Sequence, residues 1–198
     1  MREPISTQRG QRASTKARLG HIGLRLFIER GFTETTVDDI VAAAGIGRRT
    51  FFRYFASKND LAWGDFDTLV EQFRAALAAI DARTPMHEGL REAVLEFNRY
   101  PVSELSDHRE RMQLLLNVPA LVAHSALRYA SWRAAIADFA AERLELAPSD
   151  LLPQEIAWIY LAVSLSAYEA WLRDENGDLL AILGEALENL DRLPDGRG

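Results

Sequence analysis

The sequence predicts an all-α protein of about nine helices, arranged as a small N-terminal head and a larger helical body. Apolar residues recur at intervals of three and four along most of the chain, which is the spacing of one helix face. No segment alternates for long with the period of two that is typical of strands. Glycines, prolines and short capping sequences divide the helical pattern into segments.

The first three predicted helices are short and closely spaced. The first ends at Gly31, because glycine readily takes the left-handed conformation found at helix C-termini. A capping box of Thr36 and Asp39 then predicts a second helix to about Ala44. Gly45 permits a tight turn before a third helix over roughly 48–54. The apolar face of the first helix consists of Leu19, Ile22, Gly23, Leu26 and Phe27.

Ser57 and Asp60 form a second predicted cap, which opens one long helix running to about Ile80. Pro85 suits the first turn of the next helix, and other prolines and turn residues divide the rest of the chain. The remaining helices are expected at about 85–100, 101–119, 119–146, 150–173 and 179–190.

Charge is distributed unevenly along the 198 residues, whose net charge is −6. Residues 1–62 hold 11 Lys+Arg against 6 Asp+Glu, a balance of +5, and residues 63–198 hold 12 against 23, a balance of −11. A basic head on an acidic body indicates that the head alone meets a polyanion.

Several classes of function and location are disfavoured. The absence of cysteine excludes disulfides and thiolate metal sites. The four histidines are scattered, and neither HExxH nor a glycine-rich phosphate loop occurs, so we expect no catalytic residue, metal or cofactor. The N-terminus has no apolar core like that of a secretory signal, and no apolar run approaches about 18–20 residues, which predicts a cytoplasmic protein.

The third helix divides into two faces on a wheel of 100° per residue. Arg48, Arg49 and Arg53 share one arc with Phe52, while Phe51 and Phe55 lie on the opposite arc with Thr50 and Tyr54. Three unpaired guanidinium groups are too costly to bury, so they face water or phosphate. Lengths and turn match a helix-turn-helix unit, which predicts DNA binding. The alternative is an ordinary solvated helix face.

The segment "FIERGFTETTVDDIVAAAGIGRRTFFRYFASKNDL" resembles the DNA-binding segment of TetR-family transcriptional regulators. The resemblance implies an all-α homodimer that binds a palindromic operator and is released by a small molecule held in the body. Two positions depart from the family pattern: Gly47 replaces a common capping serine, and Phe52 replaces a tyrosine that donates to phosphate. The DNA contacts that it implies are Thr36, Arg48, Arg49, Thr50, Phe52, Arg53, Tyr54 and Lys58.

A narrower resemblance concerns "GIGRRTFFRYFASKNDLAWGDF" and "HSALRYASWRAAIADF", which are similar to regulators associated with the mycofactocin system. That group implies a long-chain acyl-CoA as effector. Arg109, Arg111 and Arg128 are the arginines available for its phosphates. Another hydrophobic effector, from efflux or lipid metabolism, is the alternative.

The body is expected to hold an apolar, aromatic pocket with a few polar groups, although core packing is the alternative for each residue. In this family the last two helices would form the dimer, and the apolar stripe over 179–190 needs a partner. The alternative is that these helices are internal core. The candidate pocket residues are Asn98, Arg109, Met112, Leu116, His124, Arg128, Tyr129, Trp132, Trp158 and Tyr168.

The expected organisation is a basic flexible arm (1–18), a helix-turn-helix domain (19–62), a helical ligand-binding and dimerisation domain (63–193) and a frayed tail (194–198). Two hypotheses of another class stay open beside the ligand-responsive regulator. One is a small-molecule-binding module with vestigial DNA contacts, and the other is an architectural DNA-binding protein with an inert body.

Overall fold

The computed structural model describes the backbone of residues 5–191 and the side chains of residues 15–190. Within this part of the chain all regular structure is helical, which confirms the predicted fold class. A short 3-10 turn at Val102–Glu104 precedes the seventh helix. The ten α-helices are α1 (Ile5–Arg30), α2 (Val37–Ala44), α3 (Arg48–Phe52), α4 (Lys58–Trp63), α5 (Phe66–Ala78), α6 (Met86–Phe97), α7 (Leu105–Asn117), α8 (Pro119–Leu144), α9 (Leu151–Arg173) and α10 (Leu179–Asp191).

The prediction of a single long helix from Ser57 to Ile80 is wrong. The structure has two helices in this segment, α4 and α5, which brings the number of α-helices in the described residues to ten. Gly64 interrupts the predicted helix with φ 64° and ψ −127°, a conformation that side chains rarely adopt. A Cβ on Gly64 would also lie 3.1 Å from Nη1 of Arg111. The chain therefore ends α4 at Trp63 and begins α5 at Phe66.

The N-terminal segment also differs from expectation. Helix α1 begins at Ile5, so residues 5–18 continue the helix where a flexible arm was expected through residue 18. The side chains of residues 1–14 and the expected frayed tail at 194–198 lie outside the described residues.

The predicted caps are confirmed. Thr36 accepts from the backbone N–H of Asp39 at 3.1 Å, and the Asp39 carboxylate accepts from the backbone N–H of Thr36 at 2.8 Å. Ser57 caps α4 by accepting from the N–H of Asp60 at 3.2 Å. Gly31 ends α1 with φ 91°. These local signals set the helix starts because each satisfies backbone groups that the helix itself leaves unpaired.

The chain divides into two compact units. The first unit comprises the described part of Met1–Phe66 together with Glu110–His124, and the second unit comprises Asp67–Arg109 and the described part of Ser125–Gly198. The sequence placed everything after residue 62 in the body, whereas 110–124 group with the head. Hydrogen bonds across long sequence separations explain this grouping, as when Arg111 donates to the Ala62 carbonyl at 2.6 Å.

The core of the first unit forms where α1 approaches α4. The predicted apolar face of α1 is confirmed, with Leu19 and Phe27 fully buried. Gly23 permits the approach, because a Cβ there would lie 2.2 Å from Cδ2 of the buried Leu61. Helices α1 and α4 are therefore in contact at Gly23, where a larger side chain would disturb the packing.

The second unit buries the apolar stripe of α10. Leu179, Leu183 and Leu187 are all buried within the chain, packed where α10 meets α9 and α6. These three positions follow the alternative prediction of internal core, because the helices that they pack against belong to the same chain. No helix in the described residues combines the length and hydrophobicity required to cross a bilayer.

Two glycine substitutions in α1 test the contact with Leu61. Gly20→Ala adds a Cβ into open space and should stabilise the protein by about 0.5–1 kcal/mol through helix propensity. Gly23→Ala gains the same propensity but overpacks Leu61, which costs about 1–3 kcal/mol. Urea unfolding should therefore show Gly23→Ala to be the less stable variant by about 1–3 kcal/mol. Equal stabilities would contradict the close approach.

Candidate nucleic-acid interface and ligand site

The turn between α2 and α3 is fixed by Gly45. This residue adopts a left-handed conformation (φ 66°, ψ 36°), and its N–H donates to the carbonyls of Ala42 and Val41. The N–H of Ile46 also donates to the Val41 carbonyl at 3.0 Å. The turn closes the end of α2 and positions α3 beside it, as a helix-turn-helix unit requires.

Helix α3 has the two faces that its sequence predicts. Phe51 is fully buried and its ring lies 5.8 Å from that of the buried Phe55. Arg48, Arg49 and Arg53 are exposed on the other side. The prediction that the arginines face outward while the two phenylalanines anchor the helix is confirmed.

The start of α3 has no side-chain cap. Gly47 occupies the N-cap position with extended backbone (φ −87°, ψ 156°) and no side chain that could accept from the first turn. Phe52, on the exposed face, has 47% of its surface open to solvent. It has no polar side-chain atom, so it can offer only apolar contact, for example to a thymine methyl group.

The three exposed arginines differ in their surroundings. Arg48 donates from Nη1 to both carboxylate oxygens of Asp38 at 2.9 and 2.8 Å, so α2 supplies an acid that α3 lacks. Arg53 lies over the ring of Tyr54 at 5.0 Å and donates to its hydroxyl at 3.3 Å. The side chain of Arg49 forms no ion pair or hydrogen bond with any other described residue. Arg49 and Arg53 are therefore the guanidinium groups without a carboxylate partner.

Lys58 is held by the backbone of the head. Its Nζ donates to the carbonyls of Phe32, Thr33 and Thr35 at 2.7, 3.2 and 2.9 Å, and it lies 4.5 Å from the centre of the Phe32 ring. A positive charge at a helix N-terminus is unfavourable, because it lies at the positive end of the helix dipole. Three carbonyl oxygens compensate this charge within the chain, so Lys58 has a structural role.

The threonines before α2 are also occupied. Thr35 is fully buried and its hydroxyl contacts the carbonyls of Leu26 and Gly31 at 3.2 and 2.7 Å. The buried hydroxyl of Thr35 is therefore not available to a phosphate. Thr36 stays exposed, with its hydroxyl in the capping box, and Thr50 and Tyr54 are half-buried.

The ten candidate pocket residues do not form one group. Met112, Leu116 and His124 belong to the first unit, and the other seven belong to the second. His124 approaches the carboxylate of Asp60 at 3.1 Å, which ties it to the head. Each unit by itself therefore contains only part of the predicted set.

A buried chain of polar side chains runs through the second unit. The Tyr168 hydroxyl donates to Oδ1 of Asn98 at 2.6 Å, and Nδ2 of Asn98 donates to the Val94 carbonyl at 2.7 Å. Nε2 of His108 lies 2.8 Å from the same hydroxyl. Because the single Tyr168 proton is already donated, His108 must carry its proton on Nε2 and donate it. The chain thus has one direction of donation from His108 to Val94.

Aromatic rings enclose this polar chain. The His108 ring stacks on Tyr100 at 3.8 Å between centroids. Burial raises the pKa of the Tyr168 hydroxyl well above its usual range, and the nearby Tyr100 and Tyr129 add to the shift. In the sequence, His108 is one of four scattered histidines. No spacing signal could have found it, because 60 residues separate it from Tyr168.

Trp132 provides the other notable polar atom of the interior. Its side chain is buried, lies parallel to Phe73 at 5.4 Å between centroids, and meets Phe97 edge-on at 6.2 Å. Its indole Nε1 is buried without a hydrogen-bond partner in the described structure. Buried indole N–H groups usually find an acceptor, so this one is free to donate a hydrogen bond to an acceptor atom of a bound molecule or a water.

The remaining candidates are occupied or exposed. Arg109 donates to the Trp171 carbonyl at 2.8 Å, and Arg128 pairs with Asp67 at 2.6 Å. Trp158 is 55% exposed and lies under the guanidinium of Arg133 at 3.6 Å, so it is a surface residue. Burial raises the pKa of Tyr129, opposed by its hydrogen bond with Ser125. The described residues contain no cluster of three or more acids and histidines that could hold a metal ion.

Comparison with known proteins identifies the family. Residues 22–62 match the family described as bacterial regulatory proteins, tetR family, and residues 84–193 match the MftR C-terminal domain. A protein of Mycobacterium tuberculosis whose assigned name is mycofactocin biosynthesis transcriptional regulator MftR is 46% identical over 187 residues, which covers 92% of this chain and 94% of that protein. The chain belongs to the TetR family of transcriptional regulators.

Solved structures of TetR-family proteins share this fold. A regulator from Syntrophomonas wolfei superposes with a TM-score of 0.64 at 17% identity, covering 93% of this chain and 95% of that one. Thermus thermophilus FadR, a TetR-family repressor in complex with lauroyl-CoA, superposes with a TM-score of 0.58 at 22% identity, covering 92% and 96%. These superpositions establish the fold. Membership of the family establishes that α2 and α3 are a DNA-binding helix-turn-helix.

Substitution of the two lysines of the chain distinguishes a structural role from a surface role in this TetR-family head. Lys58→Met keeps the apolar stem but leaves three carbonyls without their donor, and should cost about 1–3 kcal/mol. Lys16→Met removes a surface ion pair with Asp65 and a contact 5.9 Å from the centre of the Phe55 ring, and should cost about 1 kcal/mol or less. Urea unfolding measures both. Equal losses would argue against the structural role of Lys58.

Proposed function

We propose that this protein is a ligand-responsive repressor that binds a palindromic operator as a homodimer. The observation that carries the proposal is the exposed face of α3, where Arg49 and Arg53 lack carboxylate partners while Phe51 and Phe55 anchor the helix. Arginine's planar fork suits both guanine edges and phosphates. Thr36, Arg48, Thr50, Phe52, Tyr54 and Lys58 are the further contacts proposed from the family resemblance. A regulator of this kind acts on DNA, so we propose the cytoplasm as its location.

The dimer is proposed to form through the last two helices. The apolar stripe of α10 is already buried, so α9 supplies the exposed apolar surface, with Leu151 75% and Trp158 55% exposed. Monomeric soluble proteins rarely expose large apolar patches without a binding role. Two α3 helices held by such a dimer would read half-sites separated by about 34–36 Å.

The effector is proposed to be hydrophobic, with a long-chain acyl-CoA as the leading candidate. Support comes from the MftR-type body, from the aromatic interior of the second unit, and from lauroyl-CoA bound to the FadR structure of the same fold. Effector binding would alter the separation of the two α3 helices so that they no longer fit successive major grooves. A different hydrophobic effector is the alternative.

Arginine substitutions test the DNA contacts. Arg49→Ala and Arg53→Ala should each weaken operator binding by about 1–3 kcal/mol for a base contact, and a lost phosphate contact would reduce the salt slope by about one. Arg83→Ala is the matched control, because Arg83 is exposed and lies outside the helix-turn-helix. Fluorescence anisotropy at several salt concentrations measures all three. Operator binding unchanged in both head variants would refute the contact assignment.

The three competing functions are distinguished by whether the protein binds one specific DNA sequence, any DNA sequence or no DNA. Footprinting should show protection of a palindrome that persists at physiological salt. Absence of binding would favour the module with vestigial DNA contacts, and binding to any sequence would favour the architectural protein.

Trp132 tests the effector site through a pair of matched ligands. If its N–H donates to the thioester carbonyl, the wild type should bind lauroyl-CoA about 2–10-fold more tightly than the dodecyl thioether of CoA, which has no carbonyl. Trp132→Phe should abolish this preference. Comparing ratios removes the general loss of packing that the smaller ring causes. A preference retained in Trp132→Phe would contradict the assignment, and failure of the wild type to bind either ligand would remove the acyl-CoA proposal.

A further inference from the structure

The exposed face of α9 carries charged side chains that have no partner among the described residues. Glu155 and Arg173 are both exposed, and neither side chain forms an ion pair or hydrogen bond with another residue among those described. They are separated by 18 residues, which is five helical turns, so they point in the same direction about 27 Å apart. Ala162 and Ser166 lie between them on the same side and are exposed as well. The midline of this face therefore has an acid at one end, a base at the other and small residues in the middle.

This arrangement is complementary to itself when reversed. In an antiparallel pair of helices related by a two-fold axis, residues equally far before and after the axis face each other. We infer that α9 packs against α9 of a second copy with the axis at the level of Ser164, midway between residues 155 and 173. Glu155 of each copy then meets Arg173 of the other. The inference rests on the proposed homodimer and specifies its register.

Arg133 provides an independent observation for the same register. Its guanidinium lies 3.6 Å from the centre of the exposed Trp158 ring, its Nε is buried without a hydrogen-bond partner, and no described carboxylate pairs with it. Trp158 lies six residues before the axis, and Glu169 lies five after it. On a helical wheel both fall on the same flank of α9, within about 20° of each other.

A two-fold axis brings that flank of one copy against the same flank of the other. Glu169 of the second copy therefore reaches the level of Trp158, where it can supply the carboxylate that Arg133 lacks. Glu169 also has no ion pair among the described residues. One register thus pairs two cations and two anions that have no ion-pair partner in the described part of a single chain.

Packing supports the same arrangement. Ala162 and Ser166 present little side-chain volume at the axis, so the two helices can approach closely there. Leu151, Trp158 and Ile159 would be removed from water on either side, and their apolar area supplies the association energy. The charges select the register and disfavour the others by placing like charges together.

Charge reversal tests the register in the full-length protein. Glu155→Arg and Arg173→Glu should each weaken dimerisation about tenfold or more, because each change creates two like-charge contacts per dimer. The double variant Glu155→Arg/Arg173→Glu should restore the wild-type dissociation constant to within about threefold. Sedimentation equilibrium measures the constants. Circular dichroism checks the fold, which exposed substitutions should leave intact.

Glu92→Arg is the matched control for Glu155→Arg. Glu92 is exposed on α6, and its substitution changes the net charge by the same amount. It should leave dimerisation unchanged. A double variant as weak as the single ones would overturn the register while leaving the homodimer in place. A wild-type protein that stays monomeric at all concentrations would overturn the homodimer and the register together.

Discussion

The burial of Phe51 is the interaction on which the DNA-binding surface depends. Helix α3 has five residues, and a helix of this length has no stability of its own in water. Its axis and rotation are fixed only because Phe51 and Phe55 enter the core of the first unit. The direction of the arginines follows from that anchoring. Specificity for a base sequence would be lost if α3 could rotate, since base contacts require fixed donors.

Pairing within the head then decides which cations remain available. Arg48 is compensated by Asp38, and Lys58 is surrounded by three carbonyl oxygens. Both positive charges are thereby partly used before any DNA arrives. The family resemblance treats all four cations of this region as equal contacts, whereas their surroundings rank Arg49 and Arg53 above the others. A contact from Arg48 would require exchanging a carboxylate for a phosphate.

Local signals made much of this fold predictable, and long-range contacts made the rest inaccessible. The caps at Thr36 and Ser57 and the two faces of α3 follow from residues within one or two turns of each other. Gly64 was missed because a glycine inside a helical pattern gives no sign of its φ angle. The chain from His108 through Tyr168 to Asn98 was missed because 60 and 70 residues separate its members. Sequence periodicity also cannot tell whether an apolar stripe such as that of α10 faces its own chain or another.

Arg109, Arg111 and Arg128 already have partners within the chain, so binding the phosphates of an acyl-CoA effector would require breaking those contacts. Arg109 and Arg111 donate to backbone carbonyls, so using them for phosphate would leave those carbonyls without a donor. Arg128 is the more readily exchanged choice, because its partner Asp67 is a largely exposed carboxylate that water can solvate when the pair is broken. One exchangeable arginine is a weak basis for reading a coenzyme with several phosphates. The interior, by contrast, offers aromatic walls and one unused donor on Trp132. Selectivity in the proposed site would therefore come from the acyl chain and its carbonyl more than from the coenzyme.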